Sequence, residues 1–256
     1  MKLKNMILTE QNHIGIITIN HPPVNTWNWA TIQDFEMVLD AVENDTDVRA
    51  VIITGAGEKC FSAGFDVSDA GNSQKTSPKA RQLWRRVDRF PKPVIAAING
   101  HALGGGLELA MCCQFRIMVD APEARLGLTE LNLGIIPGWG GTQRLPQLVG
   151  KAKALDMILF SRKISASEAL KAGLINQLSA PGRLMDDALA LAEKLAKRPP
   201  LAVSWVLRSI AAGTYEGLDA GLKVEEEGSK IVGQSEDRKE GFSAFLEKRE
   251  PKFKGK

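Results

Sequence analysis

The run Gly104-Gly105-Gly106-Leu107-Glu108 carries the clearest chemical signal in the chain. It follows an apolar strand candidate, Val94–Ile98, and opens a helix expected to run to about Cys113. Glycines at a helix N-terminus leave backbone N–H groups bare, and the peptide dipoles there favour negative charge. Glu108 follows Gly105 by three residues, so both fall on one face of the first turn. The segment therefore pairs an oxyanion donor with a carboxylate able to hold water or move a proton. A second acid, Glu130, sits in the apolar segment Leu126-Gly127-Leu128-Thr129-Glu130-Leu131, where burial would raise its pKa toward that of a working acid or base. Beyond it, Gly134–Thr142 reads as a rigid, glycine-rich turn feeding a helix.

Competing chemistries find less support. The glycine run misses the G-x-G-x-x-G spacing, Gly150-Lys151 lacks a phosphate-binding loop before it, and no G-x-S-x-G elbow is present. Ser62 has no evident histidine partner. The three cysteines, Cys60, Cys112 and Cys113, suggest neither a disulfide framework nor a zinc site, and no metal is expected. Cys112 and Cys113 read as small apolar groups at a helix end.

The elements that must position these groups alternate. His13–Asn20 is β-branched and apolar and reads as a strand. Thr31–Val42 carries Ile32, Phe35, Val38, Leu39 and Val42 on one helical stripe. Val51–Thr54 is a continuous apolar run, which suits a strand covered on both faces. Phe61–Asp66 reads as a loop, Ala80–Phe90 as an amphipathic helix, and Phe115–Val119 as another strand. Strand–helix alternation predicts an α/β protein with crossover connections, and the loops after the Val51 and Val94 strands could share a cleft. Ser165-Ala166-Ser167-Glu168 is a capping box, with Gly173 at the far end of its helix. Leu184, Ala188, Leu191 and Leu195 form a stripe that ends before Pro199-Pro200. Three more helices are expected at about 201–210, 215–232 and 239–248, so a boundary falls near residue 198.

Composition bounds the class. At 256 residues the chain can bury a large core. Its net charge of +3 is too small to argue for nucleic acid. Lys248, Arg249, Lys252, Lys254 and Lys256 make the C-terminus basic, either as a solvated end or as a contact for an anionic ligand. The aromatic–basic interleaving of single-strand binders is missing. No secretory signal or membrane span is read, and a cytoplasmic location is expected.

Several stretches together resemble the enoyl-CoA hydratase/isomerase (crotonase) superfamily. They are Phe61–Asp66, Lys92–Gly100, Ala102–Ala110, Gly127–Glu130, Ile135–Leu145 and Phe245–Arg249, in the family's order. The resemblance implies a crotonase-like spiral of repeated ββα units over 1–197 and a helical trimerisation region over 198–256. It implies an acyl-CoA thioester ligand, no separate cofactor because coenzyme A is part of the substrate, and a homotrimer or dimer of trimers. The chain is most similar to hydratases, which add water reversibly, with syn geometry, across the C2=C3 bond of a 2-enoyl-CoA; the resemblance leaves as alternatives another acyl-CoA reaction of the family (isomerisation, decarboxylation or hydrolysis) or an RNA-binding member of the fold. Carried over residue by residue, the thioester oxygen would meet the N–H groups of Phe65 and Gly105, and Glu108 and Glu130 would share the water. Lys59 would lie near the CoA phosphates. Lys248 would reach CoA bound by a neighbouring subunit, accompanied by Phe245. Ala63, Asp66, Gly104 and Trp139 fall among the substrate-side positions. The chain departs from the family pattern at three places. Thr129 stands where hydratases often have proline. Met118–Ala124 is about two residues longer than usual. Large rings occupy Trp139, Trp27 and Trp29. Trp139 would either narrow the acyl pocket toward short chains or pack on the helix beneath it.

Overall fold

The computed structural model describes residues 1–256. Its elements run β1 (Met6–Gln11), β2 (Ile14–Ile19), α1 (Trp29–Asn44), β3 (Ala50–Gly55), β4 (Cys60–Ser62), α2 (Ser73–Asp88), β5 (Val94–Ile98), β6 (His101–Leu103), α3 (Gly105–Cys112), β7 (Phe115–Val119), β8 (Leu126–Gly127) and α4 (Gly141–Val149). They continue as α5 (Lys151–Leu159), α6 (Ala166–Lys171), β9 (Gln177–Ser179), α7 (Leu184–Ala196), α8 (Pro200–Glu216), α9 (Leu218–Val232) and α10 (Glu236–Glu247). Short 3-10 turns occupy Val67–Asn72 and Glu130–Leu133.

The chain winds as a spiral. Two strands and a helical segment make one turn, and three turns repeat as β3–β4–α2, β5–β6–α3 and β7–β8–α4. The first strand of each turn joins a six-stranded sheet of order β1-β2-β3-β5-β7-β9; the second joins a three-stranded sheet of order β4-β6-β8. Pairing is parallel throughout except for the β1–β2 hairpin. Successive turns stack in register, so Ile16, Ile52, Ile95 and Phe115 form one row across four strands. Every residue of β3 and β5 is buried, as an apolar run covered on both faces requires. Inside the spiral, the large core takes Phe35, Trp27, Trp84 and Leu107. Outside, α7 covers the other sheet face through Ile14, Ile52, Ile95 and Ile117.

Local signals held where side-chain spacing decides. All five stripe residues of α1 are buried, and the Asn28 side chain caps it by accepting from the Thr31 N–H at 2.9 Å. The Ser165–Glu168 capping box is fully formed. Helix α2 begins seven residues before the expected Ala80, because Pro78 and the polar Gln74 and Lys75 hide a helix whose buried face starts at Thr76. In α7 the buried stripe is Leu184, Ala188, Ala192 and Ala196; Leu191 and Leu195 flank it, half-buried. The break between α8 and α9 falls at Gly217, so Tyr215 belongs to α8. The Phe61–Asp66 stretch is not all loop, since β4 takes its first two residues. Strands β1, β6, β8 and β9 carry too few apolar residues to announce themselves. No helix is long and apolar enough to cross a membrane.

Ile95 is wholly buried between the large sheet and α7. Ile95→Ala is expected to lower unfolding free energy by about 2–5 kcal/mol in a urea titration, and a loss under about 1 kcal/mol would contradict this packing.

Candidate active site

The three short strands β4, β6 and β8 lie parallel, so their C-terminal ends point to one place. Phe65 follows β4, Gly105 and Glu108 follow β6, and Glu130 follows β8. Ligands in parallel-sheet proteins sit outside these strand ends, where loops diverge from a rigid edge.

The backbone there is tightly packed. Gly64 has φ +90°, and a Cβ on it would fall 2.9 Å from the Gly105 nitrogen and 2.8 Å from the Leu103 carbonyl oxygen. Only glycine allows that approach and that torsion together. Next to it, a parallel bridge joins Trp27 and Phe65. Trp27 N–H donates to the Gly64 carbonyl at 2.9 Å, and Asp66 N–H to the Trp27 carbonyl at 3.1 Å. These bonds use the groups on either side of Phe65 and leave its own N–H turned away. Gly105 is the first residue of α3, where an N–H has no partner within the helix. Two amides without a backbone partner thus sit at adjoining strand ends.

Aromatic rings brace them. The Trp84 indole N–H donates to the Gly105 carbonyl at 3.1 Å. Trp139 lies edge-on to Trp84 at 5.1 Å and to Phe65 at 6.2 Å. Its ring rests on Gly105: a Cβ there would be 2.4 Å from Trp139 Cζ3. Trp139 therefore packs on the helix start and at the same time walls the cleft beside the amides. Trp27 sits deeper, stacked edge-on to Trp84 at 4.8 Å and fully buried.

Both acids are buried, Glu108 at 1% exposure and Glu130 at 9%. Glu108 Oε1 accepts from the N–H groups of Trp139 at 2.8 Å and Gly141 at 2.7 Å. Burial, opposed by the Gly141 amide and assisted by the charge of Glu130, pushes its pKa up to about 7. Glu130 stands at the start of its 3-10 turn with its carboxylate against Gly104, where a Cβ would be 3.1 Å from Oε1. Its Oε2 is buried without a hydrogen-bond partner in the chain, and burial raises its pKa as well. Both carboxyls thus hold a proton to higher pH than a free side chain does, Glu108 in part because the charge of Glu130 lies near it.

The remaining expected residues divide. Gly104 is the N-cap of α3 and Ala63 is half-buried beside the cleft, its N–H donating to Val24. Asp66 is occupied as a cap: it accepts from the Ser68 hydroxyl at 2.6 Å, the Ser68 N–H at 3.0 Å and Thr26 at 3.2 Å. The Ser68 hydroxyl above all holds its pKa down. Lys59 is exposed on the loop between β3 and β4. Phe245 and Lys248 are not brought to Glu108 within one chain; Phe245 is 82% exposed on α10, beside Phe242 and Phe253, and Lys248 caps that helix. Arg249 of the basic end forms ion pairs with Glu240 and Glu247. In the Met118–Ala124 stretch, Met118, Val119 and Ala124 are buried, and Asp120, Pro122 and Glu123 are exposed. Ser62 is wholly buried and accepts from the Gly64 N–H at 3.2 Å, a structural task. All three cysteines are free and buried. No three potential metal ligands come together. Sequence reasoning missed Trp84, whose place in an apolar stripe gives no hint of its bond to Gly105. A cavity of about 650 Å³ lies under α8 against Cys112, Arg144 and Tyr215, and neither acid lines it.

Residues 9–256 match the enoyl-CoA hydratase/isomerase family. A short-chain-enoyl-CoA hydratase of Clostridium acetobutylicum is 41% identical over 255 residues, covering 97% of each chain. A crotonyl-CoA hydratase of Syntrophomonas wolfei is 37% identical over 259 residues, covering 99% of each. The crystal structure of an enoyl-CoA hydratase from Bacillus anthracis superposes with a TM-score of 0.94 at 38% identity, over 99% of this chain and 100% of that one. A match that runs through nearly the whole length, on this fold, makes the chain a member of the enoyl-CoA hydratase/isomerase family.

Proposed function

We propose that the protein is an enoyl-CoA hydratase, a hydro-lyase that adds water reversibly across the C2=C3 bond of a short 2-enoyl-CoA. The observation that carries this reading is the placement of two buried carboxyls, Glu108 and Glu130, at the strand ends that also present the free amides of Phe65 and Gly105. The thioester oxygen seats between those amides. As the water oxygen bonds to C3, the C2=C3 electrons shift toward the carbonyl and negative charge grows on that oxygen. Fixed N–H donors stabilise the enolate more than the ground state, each contributing about 3–4 kcal/mol. Glu108, its Oε1 held by two amides, takes the proton from water; Glu130 gives a proton to C2 from the same side, so addition is syn. The Glu108 proton then passes through the next water to the Glu130 carboxylate, so that Glu108 is again ionised and Glu130 again protonated.

Trp139 supports the short-chain reading, since its ring fills the space directly over Gly105. Exposed Lys59 and Lys248 offer cations for the CoA phosphates, the latter from a neighbouring subunit. The exposed apolar side chains of Phe160, Leu218, Phe245 and Leu246 support self-association, which we read as a trimer or pair of trimers. A cytoplasmic enzyme needing no added cofactor fits this reading.

Glu108→Gln and Glu130→Gln are each expected to lower kcat by roughly 10²–10⁴-fold with KM nearly unchanged, followed by loss of the enoyl-thioester absorbance of crotonyl-CoA. Near-normal turnover in either variant would reject the assignment. A carboxyl with a raised pKa stays protonated to higher pH, and a base must be ionised. The rate kcat/KM should therefore rise with pH through a midpoint near 7. In Glu130→Gln, which removes a like charge, that midpoint should move down; an upward move would contradict the coupling. Trp139→Ala should raise kcat/KM for an eight-carbon enoyl-CoA relative to crotonyl-CoA by about tenfold or more. An unchanged ratio in a chain-length panel would free Trp139 from any role in selection.

A further inference from the structure

Behind the Glu108 carboxylate lies a polar cluster that the mechanism above leaves unused. Arg144, in the first turn of α4, reaches in two directions. Its Nη1 donates to the Trp139 carbonyl at 3.1 Å. Its Nε and Nη2 reach Asp88 Oδ2 at 3.0 and 2.9 Å. The two side chains are only 11% and 12% exposed. Asp88, the last residue of α2, also accepts from the Tyr215 hydroxyl of α8 at 2.5 Å. The guanidinium comes close to Gly140: a Cβ there would be 1.8 Å from Nη1, and Gly140 has φ +113°.

This arrangement bears directly on the base. The donors to Glu108 Oε1 are the amides of Trp139 and Gly141. They belong to the peptides on either side of the one that joins Trp139 to Gly140. That middle peptide is the one whose carbonyl Arg144 grips. A glycine-rich turn has several torsional options, and two amides can converge on one oxygen in few of them. A guanidinium fixes such a carbonyl well because its donors leave in a rigid plane, with the other edge free to bind a carboxylate.

We propose that Arg144 is the positioning residue of the catalytic base: backed by Asp88 and Tyr215, it clamps the Trp139–Gly140 peptide so that the flanking amides stay aimed at Glu108. The proposal rests on the reading of Glu108 as the base. It makes Tyr215 the link from α8, through Asp88 and Arg144, to the turn that holds Glu108. The charged groups that face Glu108 are Glu130, from the 3-10 turn, and Arg144, from α4, with Asp88 of α2 behind the latter. Loss of Arg144 removes a positive charge and loosens both amide donors. Each effect favours the protonated carboxyl, so the titration of Glu108 moves to higher pH.

The test follows that titration without turnover, by NMR of glutamate labelled with ¹³C at the carboxyl, with Glu108→Gln assigning the resonance. Arg144→Gln should raise the Glu108 midpoint by about one pH unit. In crotonyl-CoA hydration, kcat should fall about tenfold with KM within threefold, and the acid limb of kcat/KM should move up with the NMR midpoint. Arg144→Lys keeps the charge but cannot hold Asp88 and the Trp139 carbonyl together, so it should recover only part of both effects. Tyr215→Phe should shift the midpoint in the same direction by less. An unmoved midpoint in Arg144→Gln that retains the wild-type melting temperature overturns the proposal. So does full recovery by lysine, which would reduce Arg144 to a bare charge. Should Arg144→Gln not fold, unmoved midpoints in both Arg144→Lys and Tyr215→Phe overturn it. Absence of hydration by the wild-type protein counts against the proposed reaction alone, because the NMR midpoint does not depend on it.

Discussion

The site depends on backbone packed against backbone where parallel strands end. An amide can serve a developing oxyanion only if it is unpaired, fixed and reachable, and protein interiors rarely leave such groups bare. Here β4 and β6 run side by side, and Gly64 lies so close to the Gly105 nitrogen that no side chain fits between them. Gly106 is equally confined, since a Cβ on it would fall 2.3 Å from the Ser62 carbonyl oxygen. The contact sets the Phe65 and Gly105 amides at adjoining strand ends, neither paired in a turn or loop hydrogen bond. Trp84 and Trp139 then press on the same helix start, one through a hydrogen bond and one through its ring face. Rigidity of this kind is what lets a dipole act without reorganising as charge develops.

The acids show a balance of opposed effects. Burial alone would keep both carboxyls neutral, and a neutral Glu108 could not accept a proton from water. Two amides on one oxygen of Glu108 pull the other way, toward the charged form. Glu130 has only its own backbone amide to favour the charged form, and one of its oxygens is buried with no partner in the chain. The asymmetry suits a pair in which one member is held ready to take a proton and the other to give one. It arises from the position of each residue at a helix start: Glu108 faces the α4 turn, while Glu130 faces the bare Cα of Gly104.

The spiral explains why the candidate site residues, scattered over 66 positions from Phe65 to Glu130, follow strand ends that lie side by side. Each turn of the chain advances one strand in the large sheet and one in the small sheet. The large sheet supplies burial, with β3 and β5 closed on both faces and α7 laid across one of them. The small sheet is only two or three residues deep and contributes little apolar area of its own. Its role is registration, holding three loop starts at one level.

By itself the sequence determined whatever rests on local spacing. The α1 stripe, the buried runs of β3 and β5, the Ser165 capping box and the glycine-led start of α3 all follow from periodicity and backbone preference over a few residues. Glu108 and Glu130 each stood out as an isolated acid among apolar residues, while their pairing came from the resemblance to the hydratase family. Only the tertiary structure decided the rest. Strands of two or three residues such as β6 and β8 have no period to read, and they exist because neighbouring turns of the spiral offer them partners. Helix α2 runs through Pro78 because its face from Thr76 to Val87 is buried, which outweighs the lost hydrogen bond. Trp84 and Arg144 look like ordinary stripe and surface residues until the fold sets one against the Gly105 carbonyl and the other against Asp88. Contacts between segments far apart in the chain have no local signature, since their free energy exists only once the spiral has closed.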